Sequence, residues 1–85
     1  MALAEFLRKK REELGHTQKE VSDSLGYTSP QFVSNWERGV SAPPLSCLAK
    51  LVDLYKLNPK ELIDILMREQ EALLKSTLIK KRKRA

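Results

Sequence analysis

Helix punctuation recurs so densely in the first sixty residues of this chain that no long element can form there. Gly15 precedes Thr17, Gly26 precedes Ser29-Pro30, Gly39 precedes VSAPP (40–44), and Asn58-Pro59 opens the final segment. Glycine readily takes the left-handed backbone that stops a helix. The oxygens of Ser, Thr and Asn accept the free amides at the next start. TQKE (17–20) has capping-box form, in which Thr17 bonds the amide of residue 20 while Glu20 reaches back. Proline at a first helical position forgoes an N–H that has no partner there anyway, which places Pro30 and Pro59 at helix starts. No stretch shows the strict alternation of a half-buried strand.

Between these stops the apolar spacing predicts five helices. Leu3, Phe6, Leu7 and Leu14 share one face of the first, and Val21 and Leu25 point inward from the second, over 17–25. The third covers 29–38, with Ser29 as its cap, Val33 and Trp36 in the core, and Phe32 beside them. The fourth turns Leu45, Leu48, Ala49, Val52 and Tyr55 to one side. The fifth is the longest and reaches past residue 78. Its Leu62, Ile63, Leu66, Met67, Gln70, Leu73, Leu74, Thr77 and Leu78 occupy one strip about 160° wide at 100° per residue. The expected fold is a compact all-α five-helix domain over 1–66, with a C-terminal helical extension and basic tail over 67–85.

Charge and residue inventory narrow the function. The net charge is +5, unevenly spread: residues 1–57 carry eight Lys/Arg against seven Asp/Glu, and residues 58–85 eight against four. IKKRKRA supplies five of those cations, enough to favour a polyanionic partner. The tail is read equally well as contacting DNA or as solubilising charge, with nuclear import the weaker alternative. No apolar run approaches the roughly 18–20 residues of a membrane span, and MALAEFLRKKREELG lacks the order of a secretory signal. One cysteine, Cys47, allows no internal disulfide and suits a small core position, pointing to a reducing, cytoplasmic setting. The only histidine, His16, falls in a turn. With three glycines, each at a helix end, and no metal-ligand spacing, the sequence offers no catalytic constellation, metal site or cofactor loop, so an enzyme is not expected.

The second and third helices, joined by a brief turn, have helix-turn-helix form, in which the first braces and the second enters the major groove. Gln31 and Asn35, spaced i, i+4, share the side away from Val33 and Trp36. Carboxamides both donate and accept, which matches the N6/N7 edge of adenine. The bland alternative is a solvated helix face. With Arg11 before Leu14-Gly15, then TQKEVSDSLG, then VSNWERG, then a Pro-led helix, residues 3–66 resemble the phage repressor/Cro-type, or lambda-repressor-like, helix-turn-helix family.

The resemblance implies double-stranded DNA as the partner and a role for each matching residue. Pro30, Gln31, Ser34 and Asn35 face base edges or adjoining sugars. Gln18 bonds a phosphate from the N-terminus of the second helix, and Arg38 and Ser41 touch phosphates beyond the third. Arg11 and Glu37 form an internal, structural ion pair. Between Gly26 and Gly39 the chain is one residue longer than the family pattern, within GYTSP, so Thr28 and Ser29 either contact phosphate or cap the helix. Pro30 stands where many relatives carry a base-bonding side chain, which shifts the expected reading toward Gln31 and Asn35.

The resulting expectation is a sequence-specific transcriptional regulator, a repressor acting as a homodimer on an inverted-repeat operator. Met67, Leu73, Leu74 and Leu78 exceed what four short helices can cover and are assigned to a dimer or partner interface. The alternative for that half of the helix is to fold back on its own domain. Polar Gln70 and Thr77 in the strip spoil a clean heptad, so a long coiled coil is not expected. Two rival functions are an antitoxin-like or adaptor protein that grips a protein partner through the fifth helix, and a structured-RNA binder.

Overall fold

The computed structural model describes residues 2–84, with side chains through Ile79; contacts expected of the basic tail lie outside the described residues. Five helices follow in order: α1 (Ala2–Glu13), α2 (Gln18–Leu25), α3 (Gln31–Glu37), α4 (Leu45–Leu54) and α5 (Pro59–Arg84), with no strand among the described residues. The core gathers Leu3 and Leu7 of α1, Val21 and Leu25 of α2, and Val33 and Trp36 of α3. It is completed by Cys47, Leu48 and Leu51 of α4, by Tyr55 and Leu57 after it, and by Leu62 of α5. The molecule measures 48 × 26 × 21 Å, its long axis reflecting the 26-residue α5, which at 1.5 Å per residue is about 39 Å long.

One closure ends four of the helices. After α2, Gly26 at φ 87° donates to the Asp23 carbonyl at 3.1 Å, and Tyr27 donates to the Ser22 carbonyl at 2.9 Å. This paired bonding covers carbonyls the helix itself leaves bare. A Cβ on Gly26 would meet nothing within 4 Å, so the need for glycine there is conformational rather than spatial. Gly15 and Gly39 repeat the pattern after α1 and α3. After α4 the same two bonds form around Lys56 at φ 53°, a left-handed conformation held by a side chain-bearing residue.

Several expected details change. α3 begins at Gln31, so Pro30 occupies the N-cap rather than the first helical position, and the Ser29 hydroxyl accepts from the Gln31 N–H at 3.3 Å. Leu14 lies beyond the end of α1 and is exposed. α4 is rolled relative to the predicted strip: Leu45 and Ala49 face out while Cys47 and Leu51 face in. Leu45 follows two prolines at the very start of the helix and is 81% exposed. Phe32 is half exposed and stacks on Tyr27 at 4.6 Å between ring centres.

The first half of α5 packs on the domain through Leu62, Ile65 and Leu66. The helix continues unbroken across residues 66–67, and Glu69 Oε1 accepts from the Leu3 N–H at 2.8 Å. That bond covers a free amide in the first turn of α1 and sets a carboxylate at the positive end of its dipole. Beyond it the apolar side chains stay outside. Met67, Leu73, Leu74 and Leu78 are all exposed, so the far half does not fold back on the domain.

Candidate nucleic-acid interface

α2 and α3 meet across a turn pinned by an aromatic side chain. The Tyr27 ring stacks on Phe32, meets Trp36 edge-on at 6.0 Å, and sets its hydroxyl 3.3 Å from Cys47 Sγ. The Tyr27–Cys47 contact pushes the Tyr27 hydroxyl pKa up. The long GYTSP turn therefore has an anchor at its second residue. No motif in the sequence marks Tyr27 for this part, although an aromatic between two capping signals was a visible oddity.

The start of α2 is locked by its capping box: Thr17 Oγ1 accepts from the Glu20 N–H at 3.0 Å and Glu20 Oε1 from the Thr17 N–H at 2.7 Å. Among the described residues the backbone N–H groups of Gln18 and Lys19 have no partner, which leaves two donors at the positive end of α2. The Gln18 side chain turns partly inward, and its Nε2 donates to Glu37 Oε1 at 3.0 Å. A primary amide nitrogen carries two N–H groups, so one remains.

Glu37 is the centre of this arrangement. Its side chain is 3% exposed and accepts from Arg11 Nε at 2.7 Å and from Arg11 Nη2 at 3.0 Å, besides Gln18. Arg11 Nη1 also donates to the His16 carbonyl at 2.8 Å. Two parallel bonds from a guanidinium to a carboxylate are the strong form of an ion pair. The hydrogen bond to Glu37 raises the Arg11 pKa further, so the guanidinium keeps its charge. Burial, with Glu37 nearby, pushes the Tyr55 hydroxyl pKa well up and keeps it neutral. This cluster ties α1, α2 and α3 into one rigid unit.

On the outer side of α3, Gln31 and Asn35 are joined: Gln31 Nε2 donates to Asn35 Oδ1 at 2.9 Å. Arg38 Nη2 donates to the same oxygen at 2.6 Å. Gln31 is exposed and Asn35 half-buried; Thr28, Ser29, Pro30, Arg38 and Ser41 are exposed around them, with Ser34 half-buried. The structure thus brings the base-facing candidates onto one surface. Met67, Leu73, Leu74 and Leu78 lie apart on α5. Among the described residues no group of three or more His, Cys, Asp or Glu is placed to hold a metal ion.

The sequence model of the helix-turn-helix family matches residues 7–62, from the middle of α1 into α5. The chain belongs to the Cro/C1-type helix-turn-helix family. Cro/C1-type proteins are DNA-binding transcription regulators with the all-helical lambda-repressor-like fold observed here. No curated protein and no solved structure matches the chain. The Cro/C1-type segment covers α2, α3 and the Arg11–Glu37 cluster, and leaves the exposed half of α5 outside it. No helix among the described residues is long and apolar enough to cross a membrane.

Proposed function

We propose that this chain is a sequence-specific DNA-binding regulator that represses transcription as a homodimer on an inverted-repeat operator. The observation that carries the reading is the joined Gln31–Asn35 pair on the outer side of α3. Buried Val33 and Trp36 anchor that helix from behind. Amides on a fixed rod discriminate base edges in the major groove, each good contact by about 1–3 kcal/mol. Gln18, Thr28, Ser29, Arg38 and Ser41 supply phosphate contacts, which set affinity and its salt dependence.

The exposed strip of Met67, Leu73, Leu74 and Leu78 supports the dimer. In the dimer the recognition helices would enter grooves about 34 Å apart. The same strip favours one second reading, an antitoxin-like or adaptor protein whose main contact is a different chain.

Selection from random duplex DNA tests the proposal. Enriched sites should show inverted symmetry, and Gln31→Ala should relax one or two positions per half-site. Leu74→Glu should shift the sedimenting species to monomer. Recovery of no consensus, or a monomer that binds one half-site at full affinity, refutes the homodimeric reader.

A further inference from the structure

Arg38, Asn35 and Gln31 form a line along the outer face of α3, and the chemistry of the line runs one way. Arginine has donors and no acceptor. The atom that Asn35 turns toward Arg38 Nη2, at 2.6 Å, must therefore be its Oδ1. With Oδ1 fixed, the atom Gln31 offers to it at 2.9 Å must be Nε2. One guanidinium thus decides which way round two otherwise reversible amides stand.

We infer that Arg38 is a positioning residue for base specificity, restricting Asn35 to donating. This rests on the proposed reading of DNA by α3. With Oδ1 held between Arg38 and Gln31, Asn35 presents only the two N–H groups of Nδ2 outward. Adenine's N6/N7 edge needs an acceptor and a donor together, so Asn35 does not match it. Guanine, with N7 and O6 both accepting, is the best partner. Gln31 differs: it keeps Oε1 and one N–H, a donor–acceptor pair that still suits adenine. The two amides, alike in sequence, select different bases. Arg38 retains further N–H groups for a phosphate, since Nη2 is directed at Asn35 and Nε lies 3.4 Å from the Ser34 carbonyl. Holding Asn35 and binding phosphate are compatible.

The test uses the full chain and its selected duplex, with every base pair of one half-site replaced in turn, at two salt concentrations. Wild type should prefer guanine over adenine at one position by roughly 5- to 150-fold, the range of a single good base contact. Arg38→Ala should weaken binding to all duplexes and bring adenine to within about twofold of guanine at that position alone. Asn35→Asp supplies the second arm. Its carboxylate keeps the acceptor toward Arg38 and Gln31 but turns the outward group from donor to acceptor, so preference should move to cytosine or adenine. If Arg38→Ala lowers affinity by one factor on every duplex and leaves base preference unchanged, Arg38 only binds phosphate and the inference fails. A wild type indifferent to every replacement overturns the DNA-reading proposal itself, a different and recognisable outcome.

Discussion

Replacing Glu37 by alanine is the sharpest test of what holds the helix-turn-helix to the rest of the domain. The substitution removes the acceptor of three hydrogen bonds and leaves the Arg11 guanidinium, 12% exposed, with the His16 carbonyl as its remaining partner. Breaking a buried ion pair on one side costs about 3–5 kcal/mol, because the other charge stays buried without compensation. The residual exposure of Arg11 puts the expected loss near the lower end, about 3 kcal/mol. A domain of 85 residues has a total stability of about 4–13 kcal/mol, so the loss is roughly a fifth or more of it. Arg11→Met should cost a similar amount by stranding the carboxylate. The double variant Arg11→Met/Glu37→Ala should cost far less than the sum, with a coupling of about 2 kcal/mol or more, since two apolar side chains need no counter-charge. Urea denaturation followed by helical circular dichroism measures all four species. Single variants that each lose under about 1 kcal/mol, or a double variant equal to their sum, would refute the reasoning.

Three further predictions concern the fold. Ser22 is fully buried and its hydroxyl meets no partner among the described residues, so Ser22→Ala should raise stability by about 1 kcal/mol; a loss in urea denaturation would mean that the hydroxyl is bonded. Lys56→Gly should relieve the left-handed backbone after α4 and stabilise by up to about 1 kcal/mol, read as a rise in Tm. The hydrogen bond from the Thr17 backbone N–H holds Glu20 below its ordinary pKa of 4.5. Its contribution is therefore complete above that value and disappears as pH falls through the lowered one. The Tm advantage of wild type over Glu20→Gln should shrink to nothing on acidification; an advantage that widens would reverse the sign.

The sequence made the helices legible because their ends are written in local chemistry. Thr17 with Glu20, Gly26, and Asn58 with Pro59 act within four residues of themselves, so spacing alone predicts them. What it did not predict depends on neighbours far along the chain. Lys56 takes a conformation usually left to glycine, and nothing in its own residue type announces that. Leu45 and Ala49 face out of α4, against the stripe their spacing predicts, because several stripes on a short apolar helix fit the same period and packing chooses among them. Glu69 covering the Leu3 amide joins residues 66 positions apart. Tyr27 as the anchor of the turn needed Phe32, Trp36 and Cys47 already in place. At the candidate interface the residue types were visible and their orientation was not.

That orientation follows a single rule on both faces of α3. A carboxamide is symmetric enough to be turned either way, which makes it a poor reader on its own. Glu37 has no proton to give when ionised, so Gln18 must donate inward to it. Arg38 has no lone pair to give, so Asn35 must accept from it, and Gln31 must donate in turn. In each case a charged group with only one kind of hydrogen bond removes the ambiguity of an uncharged one. The inner charge is compensated by Arg11 and protected from solvent, and it fixes the frame. The outer charge lies in solvent, where a phosphate can compete for it. A change of salt or of flanking contacts therefore acts on Arg38 and leaves Glu37 untouched, so base preference should respond to conditions that do not alter the stability of the fold.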